Sequence, residues 1–205
     1  MKKSSTFLKL KEEERAYRKE IILESAMKLF SEHSFYEIGM RDIAEEAGIS
    51  AASIYRYFSS RDDVIAEILE HEVEQGKKMQ LERIKSGSPN LADVARGIVD
   101  FFITRKSTLQ MLGHFLVNDE VEEEAREKFV RIRDQYQTEF EDMLLALGCT
   151  KENVSLYAKS FFASILGIIV SYKGHVDNEN QSGNDKIYKL AEMAAKIFMG
   201  GMPKN

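Results

Sequence analysis

The chain has no tryptophan, two prolines and one cysteine in 205 residues. Each scarcity excludes something. Cys149 alone cannot close an internal disulfide, which fits a reducing cytoplasm. With no histidine near it in sequence, it reads as a small half-buried residue at a helix junction rather than a nucleophile. So few prolines leave long stretches unbroken, and strand-like alternation is not evident, so an all-α fold is expected. The apolar run FFASILGIIVSY (161–172) is 12 residues, short of a bilayer span, and reads as a buried helix. No apolar stretch follows the basic first residues, so no secretory signal is expected, and Asn153-Val154-Ser155 and Asn180-Gln181-Ser182 are chance matches to the glycosylation pattern. His33, His71, His114 and His175 lack metal-ligand spacing, and no nucleophile-base pair or phosphate-cradling glycine loop is present. No cofactor, no metal and no enzymatic activity are expected.

What the chain does have is 43% apolar and 31% charged residues, enough to bury one or two cores. Its net charge of −5 argues at first against a nucleic-acid partner. The distribution softens that objection. Residues 1–19 carry seven Lys or Arg against three Glu, and the whole deficit lies in residues 63–205. An N-terminal end that binds polyanions is therefore compatible with an acidic body.

Periodicity and punctuation predict about nine helices. The first, about 12–32, carries Ile22, Ala26, Leu29 and Phe30 on one stripe, and the second, 40–47, carries Met40, Ile43, Ala44 and Ala47. Gly48 ends the second and Ser50 is a ready N-cap for a third, about 51–57. A fourth begins near Arg61. SGSPN (86–90) is the clearest break, with Ser88 as N-cap and Pro89 at the first position of a fifth helix to about 105. A sixth over 107–117, a seventh from Asn118 or Asp119 to about 147, an eighth capped by Thr150, and a ninth over 185–199 after the polar loop 175–184 complete the series.

The stretch MRDIAEEAGISAASIYRYF (40–58) carries the chemistry. Two helices that cross closely need a small residue at the crossing and a turn residue tolerant of a left-handed backbone, and Ala44 and Gly48 supply both. Ile43, Ile49 and Ile54 can pin the pair from inside. Ser50, Ala51, Ala52 and Ser53 then begin the second helix facing outward, slim enough to approach the floor of a major groove. Tyr55, Arg56 and Tyr57 follow where phosphates would lie, and Arg41 and Arg61 flank the pair. Tyr57 and Phe58 have a second reading, closure of a three-helix core, and for Phe58 that reading is the stronger.

Leu29-Phe30, Ile43-Ala44, Ala47-Gly48-Ile49-Ser50, Tyr55, Tyr57-Phe58 and Arg61 together resemble the DNA-binding domain of the TetR family of bacterial transcriptional regulators, over about residues 20–70. Ser34 stands where that family usually has glycine, and Gly39 where Thr or Ser is common. Ala51 and Ala52 replace a basic or polar residue and a glycine, so van der Waals contact is expected to outweigh bidentate base readout. The resemblance implies a helix-turn-helix domain (1–62) followed by a helical effector-binding and dimerisation domain (63–205). It also implies a homodimer on a pseudo-palindromic operator, released by a small molecule, with no membrane partner. A helical interaction protein that kept the fold but lost operator binding is the alternative.

In the C-terminal body the eighth helix carries a small-residue stripe, Ser160, Ser164, Gly167 and Ser171, and the ninth carries Ala191, Ala194, Ala195 and Phe198. These are the expected dimer face, against burial within one protomer. Phe101, Phe102, Met111, His114, Phe115, Tyr136, Phe140, Met143 and Phe162 are the candidate effector wall, against plain core.

Overall fold

The computed structural model describes residues 2–85, 90–172 and 181–203. Among these, nine helices account for all the regular structure: α1 (Lys2–Glu32), α2 (Met40–Glu46), α3 (Ala51–Ile54), α4 (Arg61–Lys85), α5 (Leu91–Thr104), α6 (Lys106–Val117), α7 (Glu123–Ala146), α8 (Val154–Tyr172) and α9 (Gln181–Gly201). They form two compact units, Met1–His71 with Ser107–Phe129, and Glu72–Lys106 with Val130–Asn205. The division expected between 62 and 63 is a functional one. The packing units are drawn differently, because α4 and α7 each begin in the first and end in the second.

The first unit closes around one apolar cluster. Ile22, Ala26 and Phe30 of α1, Ile43 and Ala44 of α2, Ile54 of α3, Phe58, and Val64, Ile65 and Ile68 of α4 are all buried in it. Met111 and Phe115 of α6 and Phe129 of α7 join the same cluster, with the Phe115 and Phe129 rings stacked at 4.8 Å. Polar ties hold its rim. Glu67 of α4 is bonded to Lys19 of α1 at 3.0 Å and to Lys128 of α7. His114 Nε2 pairs with Asp62 Oδ1 at 2.9 Å, and Asp62 Oδ2 accepts from the Glu122 N–H at 3.3 Å.

In the second unit α9 packs mainly along α5 and α8. Leu91, Val94, Ala95 and Val99 of α5, Phe161, Ile165 and Ile169 of α8, and Ile187, Ala191 and Ala195 of α9 are buried. Tyr188 donates to Asp100, and Arg96 pairs with Glu192, tying α5 to α9. Asn90 caps α5 through its side chain, accepting from the Asp93 N–H at 2.9 Å. That role was expected of Ser88, which with Pro89 lies outside the described residues, as do His175 and most of the loop expected at 175–184.

Other boundaries also moved. α1 is 31 residues long and extends to Lys2, ten residues beyond the expected start. α7 begins at Glu123, after a turn, and α8 at Val154, because residues 150–153 form a turn in which the Thr150 carbonyl accepts from the N–H groups of Asn153 and Val154. α8 therefore reaches 19 residues and is, by length and composition, long and apolar enough to cross a membrane, which the 161–172 run alone did not suggest. Only 28% of its apolar window is buried, so much of an apolar helix faces outward.

Candidate nucleic-acid interface

The first unit positions its outermost element by sequence-local means. Gly39 has no side chain to cap α2, but its own N–H donates to Asp42 Oδ2 at 2.7 Å, which fixes the entry. Ser34 opens the preceding turn without the expected glycine, its carbonyl accepting from the Glu37 N–H at 3.0 Å. Gly48 adopts φ +67°, a left-handed backbone that a β-carbon disfavours, and sends the chain from α2 into α3. Ser50 then caps α3, its hydroxyl oxygen accepting from the Ser53 N–H at 3.1 Å.

From this frame Ala51, Ala52, Tyr55 and Arg56 face solvent, while Ile54 on the opposite side is fully buried. Arg41 on α2 is exposed too. α3 is shorter than expected, ending at Ile54 rather than about 57. The Ile54 carbonyl accepts from both Tyr57 and Phe58, so Tyr55 to Tyr57 continue as a turn. The Ser50 and Ser53 hydroxyls lie 2.8 Å apart and bond each other, leaving Ala51 and Ala52 as the leading surface.

Two expected contacts sit elsewhere. Tyr57 is half-buried against the apolar cluster, and Phe58 is fully inside it. Arg61, expected to reach a phosphate, turns inward: its guanidinium donates to the Phe35 carbonyl and lies 4.5 Å from the Phe35 ring centre and 5.4 Å from that of Phe30. Burial pushes its pKa down, with Asp62 and Tyr36 opposing, and its Nε has no partner. The local sequence looks the same either way, since a basic residue opening a helix can face water or fold back over aromatic rings from a distant turn.

The expected effector wall divides between the units. Met111, His114 and Phe115 belong to the first unit and are buried in or beside its core, with the His114 ring packed edge-on to Phe35 and Phe115. Phe101, Phe102, Tyr136, Phe140, Met143 and Phe162 stay in the second unit. There Phe101 meets Phe102 at 5.1 Å and Tyr136 meets Phe162 at 5.2 Å, while Phe140 stacks on Phe161 at 5.4 Å. Burial, with the charge of Glu139 adding to it, pushes the Tyr136 hydroxyl up to about 12, so it is a neutral donor at physiological pH.

The expected dimer face is likewise only partly outward. Ser160, Gly167 and Ser171 of α8 are exposed, together with Leu156, Ala163 and Val170, and Ser164 is half-buried with its hydroxyl on the Ser160 carbonyl at 2.8 Å. On α9, Ala191 and Ala195 are buried inside the unit, Ala194 is half-buried, and the half-buried Phe198 packs on Tyr157 and Phe161. The large apolar residues of α9 that face outward are Met193 and Ile197, among exposed Lys189 and Lys196. Met193 and Ile197 stand outside the main apolar stripe of α9, so its periodicity did not single them out.

Comparison with known proteins agrees with this geometry. The family described as "Bacterial regulatory proteins, tetR family" matches residues 22–68, which run from Ile22 in the second half of α1 into the first third of α4. The transcriptional regulator LuxR of Vibrio harveyi is 29% identical over 86 residues, covering 40% of this chain and 42% of LuxR. The regulator HbdR of an Aromatoleum species is 42% identical over 48 residues, covering 23% of this chain and 21% of HbdR. The chain thus matches less than half the length of these relatives. Among solved structures, a Mesorhizobium loti protein assigned to the TetR family has a TM-score of 0.70 at 15% identity, covering 91% of this chain and 96% of that one. FadR of Bacillus subtilis in complex with stearoyl-CoA has a TM-score of 0.66 at 17% identity, covering 89% and 98%. These two likenesses extend the shared fold through the C-terminal helices. Residues 22–68 thus match the tetR family of bacterial regulatory proteins, and the fold of the chain is the one seen in solved structures of that description.

Proposed function

We propose that the chain is a cytoplasmic DNA-binding transcriptional regulator, a homodimeric repressor released from a pseudo-palindromic operator by a small, largely apolar effector. The observation that carries this reading is the exposure of Ala51 and Ala52 on a one-turn helix whose other side, Ile54, is fully buried. A rod so thin, held from behind by a core, can lie against base edges in a major groove, with alanine methyls meeting thymine methyls. Arg41, Tyr55 and Arg56 then flank it for phosphate contact, with Ser50 and Ser53 setting the start of the rod.

Dimerisation is supported by the outward apolar surface of α8 and α9, with Leu156, Val170 and Ile197 each more than half exposed. The small residues Ser160, Ala163 and Gly167 along the same side of α8 permit close approach of a second helix pair. For the effector, the aromatic pairs of the second unit supply an apolar wall. The fold is one found with stearoyl-CoA in the Bacillus protein, so a long-chain acyl thioester is the first class to try.

The test is titration of the full chain against a duplex from its own promoter and a scrambled duplex of equal composition, at several salt concentrations. Affinity is expected only for the promoter duplex and should weaken with salt. Arg56→Ala should weaken it about tenfold or more and lower the salt slope by about 1 per lost phosphate contact. Equal binding to both duplexes would favour the alternative of a helical interaction protein.

A further inference from the structure

α1 is longer than its core requires. Among its described side chains the first buried one is Ile22, and Lys2 to Ile21 run about 30 Å of helix ahead of it. The face that buries Ile22 and Ala26 continues toward the N-terminus through Arg15, Lys11 and Leu8 at helical spacing. Residues 11–18 on it are exposed. Where the core ends, the inward stripe changes from apolar to cationic.

That stripe forms one wall of an open cleft of about 550 Å³, lined by Lys11, Arg15 and Arg18 of α1 and by Arg56 and Tyr57 of the turn after α3. Arg15 Nη2 donates to the Arg56 carbonyl at 3.3 Å, which joins the two walls. Two carboxylates, Glu12 and Glu14, also line the cleft, and Glu14 is held by Arg18 at 2.8 and 3.1 Å. Four cations against two carboxylates leave a surplus of positive charge beside the exposed head, on a chain whose net charge is −5. Lys11 to Arg18 spans about 10 Å of helix, the axial rise of about three base pairs.

We propose that this cleft grips the DNA backbone flanking the sequence under α3, making the N-terminal half of α1 a second, sequence-independent contact. The inference rests on the reading of α3 as the DNA-contacting element. Phosphates suit the cleft because it is open, linear and cationic, and because Arg56 belongs to both surfaces.

The test uses the full chain and two duplexes obtained by selection from a random-sequence pool: the bound core alone, and the core extended by about eight base pairs on each side, long enough to reach α1. For Lys11→Ala/Arg15→Ala/Arg18→Ala, affinity for the extended duplex should fall about tenfold or more and its salt slope by about 2–3, with the core duplex bound as before. Glu12→Gln/Glu14→Gln should bind the extended duplex several-fold tighter than wild type, a gain that misfolding cannot imitate. Equal behaviour of wild type and both variants on the two duplexes overturns the cleft while leaving α3 in place. Failure of wild type to select any duplex overturns the reading of α3 and the cleft together. Phosphatidylglycerol vesicles form the last arm, since Phe7, Leu8 and Leu10 are exposed nearby. Vesicle binding lost in the triple variant, with DNA binding unchanged, would assign the cleft to a membrane surface and overturn the proposal.

Discussion

Arg56 and Arg61 are five positions apart and do different work. Arg56 is exposed; its backbone is engaged, the N–H donating to the Ser53 carbonyl at 3.2 Å and the carbonyl accepting from Arg15 at 3.3 Å. Arg61 is half-buried over two phenylalanine rings and bonded to a carbonyl, where a cation–π contact and a charged hydrogen bond contribute to folding. Their substitutions should separate cleanly. Arg61→Ala is expected to lower unfolding free energy by about 1–3 kcal/mol in urea titrations and leave the salt slope of DNA binding unchanged. A lower slope without loss of stability would show that Arg61 reaches a phosphate after all.

Between elements, the Glu67 cluster ties α4 to α1 and α7. Burial pushes the Glu67 carboxyl up, but hydrogen bonds and charge from Lys128 and Lys19 outweigh it and hold the carboxyl below its usual range. A depressed carboxylate stabilises the fold above its unfolded pKa, and that contribution is lost as pH falls through the folded value. Glu67→Gln should therefore cost about 1–2 kcal/mol at pH 7, with the gap to wild type closing below about pH 4. A gap that persists in acid would mean the side chain acts by packing alone. Legibility also varied by element. α2, the cap at Ser50 and the left-handed turn at Gly48 were readable because short-range spacing and backbone chemistry decide them. The N-terminal half of α1 was not, since residues 2–11 lack an apolar period. The packing partners of Met111, His114 and Phe115 were not readable, because an amphipathic stripe shows that a helix is buried, not against what.

At the scale of the whole molecule, recognition of a palindrome needs two heads about 34–36 Å apart, or a multiple of that, and hence a second copy. The outward apolar residues of α8 and α9 are the surface proposed to recruit it. Val170→Glu combined with Ile197→Glu replaces exposed side chains, so the fold should persist while sedimentation shifts from dimer to monomer. Binding to a palindromic duplex should fall toward that of a half-site. A dimer that survives both substitutions would place the interface elsewhere.

Groove recognition as proposed depends on the slimness of the exposed α3 surface, and Ala52→Leu tests it most directly. Ala52 faces solvent, so the substitution should change stability by no more than about 0.5 kcal/mol. If Ala52 lies against base edges, the added bulk should lift the rod from the groove and weaken promoter binding by at least about tenfold, or about 1.4 kcal/mol. Anisotropy titration returning the wild-type affinity, from a variant with wild-type unfolding, would contradict the claim that α3 reads DNA.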